Sequence, residues 1–140
     1  MSEEKLFDFE SITKGRGRVV IIQQSPMIDI VAAGFVSGSI VLANILYNEK
    51  LLEFQYTSDA GPVKSISFLS DQGLGVSLLA STTDSSSCGG KITLWDLNEK
   101  KIHSTLDEAH SGKQVSHIHF LQNEPVLVSS SNDGNSIKMW

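Results

Sequence analysis

Ile92-Thr-Leu-Trp-Asp-Leu97 is the stretch on which the fold turns. It is a run of alternating apolar residues that ends in Trp-Asp, followed by the turn residues Asn98, Glu99 and Lys100, and it reads as a β-strand. Two further copies occur, Ile40-Val-Leu-Ala43-Asn-Ile45 on one side and Ile137-Lys-Met-Trp140 on the other. A second pattern, Val-x-x-Ile-x-Phe, stands at Val63, Ile66, Phe68 and again at Val115, Ile118, Phe120, with a weaker copy at Val19, Ile22, Gln24. From Ala43 to Ile66 is 23 residues, and from Trp95 to Ile118 is 23 again. From each Ile to its following Trp position the distances are 21, 29 and 22, so the extra length of the second unit is a loop insertion around Thr82 to Gly90. Constant spacing of this kind marks an internal repeat.

Two more short apolar stretches complete each unit. One lies between the two patterns, at Ile30 to Ala33, Val76 to Ala80 and Val126 to Val128; the other precedes each Val pattern, at Leu6 to Phe9, Leu51 to Phe54 and Ile102 to Leu106. Four strands in a unit of about 45 residues, with polar turns and no helical periodicity, predict a blade of a β-propeller. The prediction is therefore an all-β chain, a single partial propeller over residues 1–140, with repeats at about 1–45, 46–97 and 98–140.

Composition narrows the function classes. Sixteen acidic against eleven basic residues give a net charge of −5, which offers no general attraction to phosphate backbones. The single cysteine, Cys88, has no partner for an intramolecular disulfide and no C-x-x-C around it, which fits a reducing compartment. Met1 to Glu10 has no apolar core of signal-peptide length, and no apolar run approaches a membrane span of about 18 residues, so the expectation is a soluble chain with no membrane partner.

Gly89-Gly-Lys-Ile-Thr-Leu-Trp-Asp-Leu97, together with Ala109-His110 ahead of Val115, resembles the WD40-repeat family. The resemblance covers nearly the whole chain. In that family a His, a Ser or Thr, an Asp and the Trp form a buried hydrogen-bonded chain, and the resemblance assigns these places to His110, Ser130 (or Ser129), Asp133 and Trp140, with Trp95 and Asp96 as the repeat signature. Such a series satisfies an indole N–H, a hydroxyl and an imidazole together and pins the strands in register. The chain departs from the pattern at Ala43, where a Trp would stand, and at Ser58 to Val63, which has no His; Asp133 lies seven residues before Trp140, one more than usual.

A narrower resemblance follows from the turn residues. Ser25 to Ile45, Gly61 to Phe68, Lys91 to Lys101 and Phe120 to Val128 are similar, in order and spacing, to the tandem-propeller WD-repeat family associated with U3 small nucleolar RNA. That resemblance implies a nucleolar, nuclear protein of the small-subunit processome, a non-catalytic scaffold in 18S pre-rRNA processing. It implies other processome proteins as direct partners, with the U3 ribonucleoprotein and pre-rRNA as indirect ones. It also implies a fragment from the interior of one propeller, since rings in this family close with about seven blades. Three repeats would leave ends to be covered by the remaining blades or by self-association.

Candidate sites outside the repeat signature are few. His117 and His119 share a strand face but lack a third ligand at suitable spacing, so two polar residues on a blade strand is the plainer reading and no metal is expected. Cys88 has no neighbouring base or cation to make it a nucleophile. The loop with Asp84, Ser85, Ser86 and Ser87 is a candidate partner contact, because loops on a rigid scaffold carry binding. Lys14, Arg16 and Arg18, interleaved with glycine, form a candidate phosphate contact, against which stands the absence of an interleaved aromatic. No carboxylate pair or His/Asp/Glu convergence suggests an enzyme or a cofactor. An adaptor in another pathway, such as a ligase substrate receptor or a trafficking scaffold, is the alternative that the fold leaves open.

Overall fold

The computed structural model describes residues 15–55, 61–69, 77–84, 90–111, 113–121, 124–131 and 136–140. Within them the chain forms strands only, gathered into three antiparallel sheets that do not close on one another. The first sheet orders β1 (Val19–Gln24), β2 (Ile30–Phe35), β3 (Ser39–Asn44) and β4 (Glu49–Gln55). The second orders β5 (Val63–Phe68), β6 (Leu78–Thr83), β7 (Ile92–Asp96) and β8 (Lys101–Leu106). The third holds β9 (His117–Phe120), β10 (Leu127–Ser131) and β11 (Ser136–Met139). Every stretch that the sequence marks as a strand in the described residues is one; the stretch Leu6 to Phe9 lies outside them.

The sequence repeat and the hydrogen-bonded sheet are offset by one strand. Leu51 to Phe54 opens the second repeat by sequence, yet β4 pairs with β3 and belongs to the first sheet; Ile102 to Leu106 likewise closes the second sheet. The physical reason is the short turn after each Trp-position strand, which returns the chain antiparallel to the strand it has just left. Each repeat thus straddles two sheets and ties them together along the chain. The first and second sheets also share their irregularities, with register shifts at Val19/Ile21 and Val63/Ser65, and again at Leu42/Ala43 and Leu94/Trp95.

Neighbouring sheets pack face to face, with β1 beside β5 and β5 beside β9. Ile40, Leu42 and Phe54 of the first sheet meet Ile66, Phe68, Leu79 and Trp95 of the second. On the second sheet's other face, Ala80 and Ile92 meet Val115, Ile118, Phe120 and Leu127. β5, β6 and β7 of the middle sheet are covered on both faces, and small hydroxyl residues such as Ser65, Ser67, Ser81 and Thr93 are buried in them beside the apolar ones. Phe54 stacks on Trp95 with ring centroids 4.6 Å apart. At the matching place between the second and third sheets stands the smaller Leu106, paired with Ile92 as Phe54 is with Ile40. A pocket of about 440 Å³ opens there, walled by Leu94, Leu106, Phe120, Leu127 and Trp140.

One backbone approach is close enough to dictate a residue. A Cβ on Gly34 would lie 2.7 Å from Ile21 Cγ2 and 2.8 Å from Val63 Cβ and Cγ1, so glycine is what lets β2 sit against β5. Gly34→Ala is therefore expected to cost about 1–3 kcal/mol, seen as a lower midpoint in urea unfolding; an unchanged midpoint would mean that the two sheets separate freely at this point.

Candidate functional site

The register explains why the Trp-position residue has a fixed companion. Trp95 lies opposite Leu79, and Ser81, two residues further on the same face of β6, receives the indole N–H at 2.7 Å. Trp140 and Leu127 exchange backbone hydrogen bonds of 2.8 and 3.2 Å, and Ser129, again two residues on, receives the indole N–H at 2.9 Å. In the first sheet Ala43 lies opposite Val31, and the residue two further on is Ala33. Where the indole is missing, its acceptor is missing too, and both alanines are buried. No polar group is left stranded by the loss.

In the third sheet the chain extends to the imidazole. Ser129 Oγ lies 2.8 Å from His110 Nε2, and Ser136 Oγ lies 2.7 Å from His110 Nδ1. Since the indole can only donate, Ser129 accepts from Trp140 and its own O–H is free to donate to Nε2, which leaves Nδ1–H to donate to Ser136. That order requires a neutral ring. Burial, with Lys138 nearby as a second cause, pushes the His110 imidazole below its ordinary value, in keeping with an ordering that has no place for a second ring proton.

Of the serines considered from the sequence, Ser129 and not Ser130 holds this position. Ser130 is only half-buried, and what it contributes is its carbonyl, which accepts from the Ser116 N–H at 2.8 Å. A run of three serines, 129 to 131, cannot fix its own register in the sequence; the Leu127–Trp140 pairing does. Ser136 and Ser81 were not singled out from the sequence, although the step of two from the leucine opposite the Trp would have found Ser81. Asp133 lies outside the described residues.

Asp96, the other half of the repeat signature, builds a turn. Its Oδ1 accepts from the backbone N–H of Asn98 and Glu99, both at 2.9 Å. Asn44 does the same for Leu46 and Tyr47 at 3.0 and 3.1 Å. In both turns the last residue takes a left-handed conformation, Asn48 at φ 52° and Lys100 at φ 58°. The carboxylate is thereby committed to the fold.

The remaining candidates are dispersed. Arg16 is held by both oxygens of Glu53, at 2.5 and 2.6 Å, and Lys50 reaches the same carboxylate at 3.3 Å. The Arg16 hydrogen bond is the main cause that keeps Glu53 below the usual carboxylate range. A cation so engaged is a weaker candidate for phosphate; Arg18 is exposed, and Lys14 lies outside the described residues. Asp84 is exposed and its N–H donates to the Pro62 carbonyl at 2.8 Å, while Ser85, Ser86, Ser87 and Cys88 lie outside the described residues.

His117 and His119 have a structural counterpart that the sequence reading missed. They occupy the register positions of Ser65 and Ser67, whose hydroxyls accept from the backbone N–H of Ile118 at 3.2 Å and Phe120 at 2.8 Å. Those bonds satisfy the open edge of β9 from the neighbouring sheet. The two histidines are exposed, on the face of the third sheet that also shows Ile137 and Met139. Among the described residues no group of three or more His, Cys, Asp or Glu side chains could hold a metal ion.

Repeated sheets, Trp–Ser pairs and Asx-capped turns are the framework of a WD-type propeller, and a family model described as the WDR36/Utp21 first beta-propeller matches residues 1–140. The chain belongs to that family. Its fold is thus part of a β-propeller, three sheets that form no closed ring. Among curated relatives it is 39% identical over 122 residues to WD repeat-containing protein 36 of Homo sapiens. It is 34% identical over 122 residues to the U3 small nucleolar RNA-associated protein 21 homolog of Schizosaccharomyces pombe, and 27% over 125 residues to U3 small nucleolar RNA-associated protein 21 of Saccharomyces cerevisiae. These alignments cover 87 to 88% of the chain, which spans 12% of the length of each relative.

Ser129→Ala removes the partner of two groups at once and is expected to cost about 1–3 kcal/mol. Ser130→Ala should stay within about 0.5 kcal/mol; equal shifts of the two variants in thermal melts would dissolve the assignment. The depressed imidazole fixes a pH effect as well. His110 contributes stability that is present above the unfolded value near pH 6.5 and is lost as pH falls through it, since the unfolded chain takes the proton first. The melting midpoint should drop between pH 7.5 and 5.5, and less so in His110→Gln.

Proposed function

We propose that this chain is a segment of a non-catalytic scaffold in ribosome biogenesis, supporting small-subunit processome assembly and 18S pre-rRNA processing through protein contacts in the nucleolus. The observation that carries this reading is the family match over the whole chain, joined to two yeast relatives that are by name associated with U3 small nucleolar RNA. The direct partners are other processome proteins, with the U3 ribonucleoprotein and pre-rRNA reached through them. An acidic chain whose Arg16 is spent on Glu53 offers little to a phosphate backbone. The polar side chains that a catalytic reading would need are bound into the framework instead: His110 to two serines and Asp96 to a turn. The open face of the third sheet, with Ile137 and Met139 exposed, is suited to a further propeller sheet.

Affinity purification of the protein from its own cells tests this reading. Processome proteins together with U3 RNA are the expected recovery. A ligase, coat or signalling complex recovered without that RNA would overturn the processome assignment and leave an adaptor function on the same fold.

A further inference from the structure

The first sheet carries an exposed apolar cluster that its fold does not require. Met27 and Ile28, in the β1–β2 turn, are 59% and 85% exposed, and Leu46 and Tyr47, in the β3–β4 turn, are 65% and 72% exposed. The two turns lie at the same end of the sheet and are joined, because the Ile45 N–H donates to the Asp29 carbonyl at 2.8 Å. Each is also fixed internally: Met27 N–H donates to Ser25 Oγ at 3.0 Å, and Asn44 holds Leu46 and Tyr47.

The second sheet is the internal comparison. There the Leu97 N–H donates to the Ser77 carbonyl at 2.9 Å, and Asp96 caps Asn98 and Glu99 as Asn44 caps Leu46 and Tyr47. The same backbone is built with polar residues at the positions of Leu46 and Tyr47. The apolar side chains of Leu46 and Tyr47 are therefore not demanded by their turn, and exposing them beside Met27 and Ile28 on a pre-ordered frame has the character of an interface core.

Charge says what covers it. Asp29 and Glu49 flank the cluster, and neither is paired with a cation among the described residues, whereas Lys50 is turned to Glu53. Two carboxylates beside an apolar centre repel a nucleic acid, and they repel the same two carboxylates on a second copy. We infer that Met27, Ile28, Leu46 and Tyr47 form a docking knuckle for a protein segment that presents apolar side chains flanked by Lys or Arg. This deepens the scaffold reading and rests on it, but it stands or falls by a separate measurement.

That measurement is photo-crosslinking in the protein expressed in its own cells, with a benzophenone amino acid in place of Tyr47 and, as the comparison, in place of Glu99. The expected product at position 47 is a crosslink to another protein, within a peptide that holds at least two large apolar residues next to Lys or Arg, and no such product at position 99. Its yield should fall about tenfold in Ile28→Ser with Leu46→Asn, and similarly in Asp29→Lys with Glu49→Lys. Melting of the variants confirms that they fold, and the second pair needs it too, because Asp29 holds a left-handed φ of 65° that Asp tolerates better than Lys. Crosslinks to RNA, to a second copy or to the same chain overturn the inference, as do an absent crosslink and one equally strong at position 99. U3 RNA recovered alongside a failed crosslink would leave the scaffold reading in place and remove only the knuckle.

Discussion

The indole N–H of the Trp position has to be satisfied inside a stack of sheets, and much else in the chain follows from that. A buried donor without a partner costs more than its hydrogen bond returns, so a Trp on the third strand of a sheet obliges a hydroxyl on the second, two residues beyond the residue opposite. The buried Trp95 with Ser81 obeys this, and Trp140, more exposed at 42%, finds Ser129 in the same register. The first sheet meets the same constraint by leaving out both members, with Ala43 and Ala33 buried in their places. A substitution at one of the two positions alone would break the match, which is why the loss of the signature Trp in the first repeat is not a defect of the fold.

The stack adds a second layer of satisfaction between sheets. A sheet packed against its neighbour still has an edge strand with N–H groups to satisfy, and Ser65 and Ser67 meet those of β9 from across the interface. Apolar area does the rest, with Phe54 on Trp95 as the best-filled junction and the pocket beside Leu106 as the least. The junctions are thus unequal although the repeats are alike. Such inequality is expected of a nearest-neighbour array, where each unit's stability depends on the side chains the next one offers.

The eleven strands of the described residues were legible because spacing and apolar patterning are local properties, and the 23-residue interval marks the repeat without any structure. The offset between repeat and sheet was not, since it depends on which neighbour β4 and β8 choose. For the network, His110, a serine and Trp140 were legible but register was not: Ser129 and Ser130 differ by one step, which in a strand is the difference between two faces. The Arg16–Glu53 pair joins residues 37 apart in the chain, and nothing in the sequence around either one announces the other. Asp96 shows the reverse case, a signature residue found at once whose work as a turn cap appears only when Asn44 is seen doing it too.

What is spent on folding also bears on where function can reside. The imidazole, the signature carboxylate and most interior hydroxyls are committed to hydrogen bonds that hold strands and turns, so the chemistry left over is that of surfaces. Among the described residues two such surfaces stand out. The open face of the third sheet carries His117, His119, Ile137 and Met139 in regular register, and suits another sheet of the same construction. The turns differ from blade to blade on a common backbone, and it is that freedom, polar at Asn98 and Glu99 but apolar at Leu46 and Tyr47, that allows one blade to recognise what its neighbour does not.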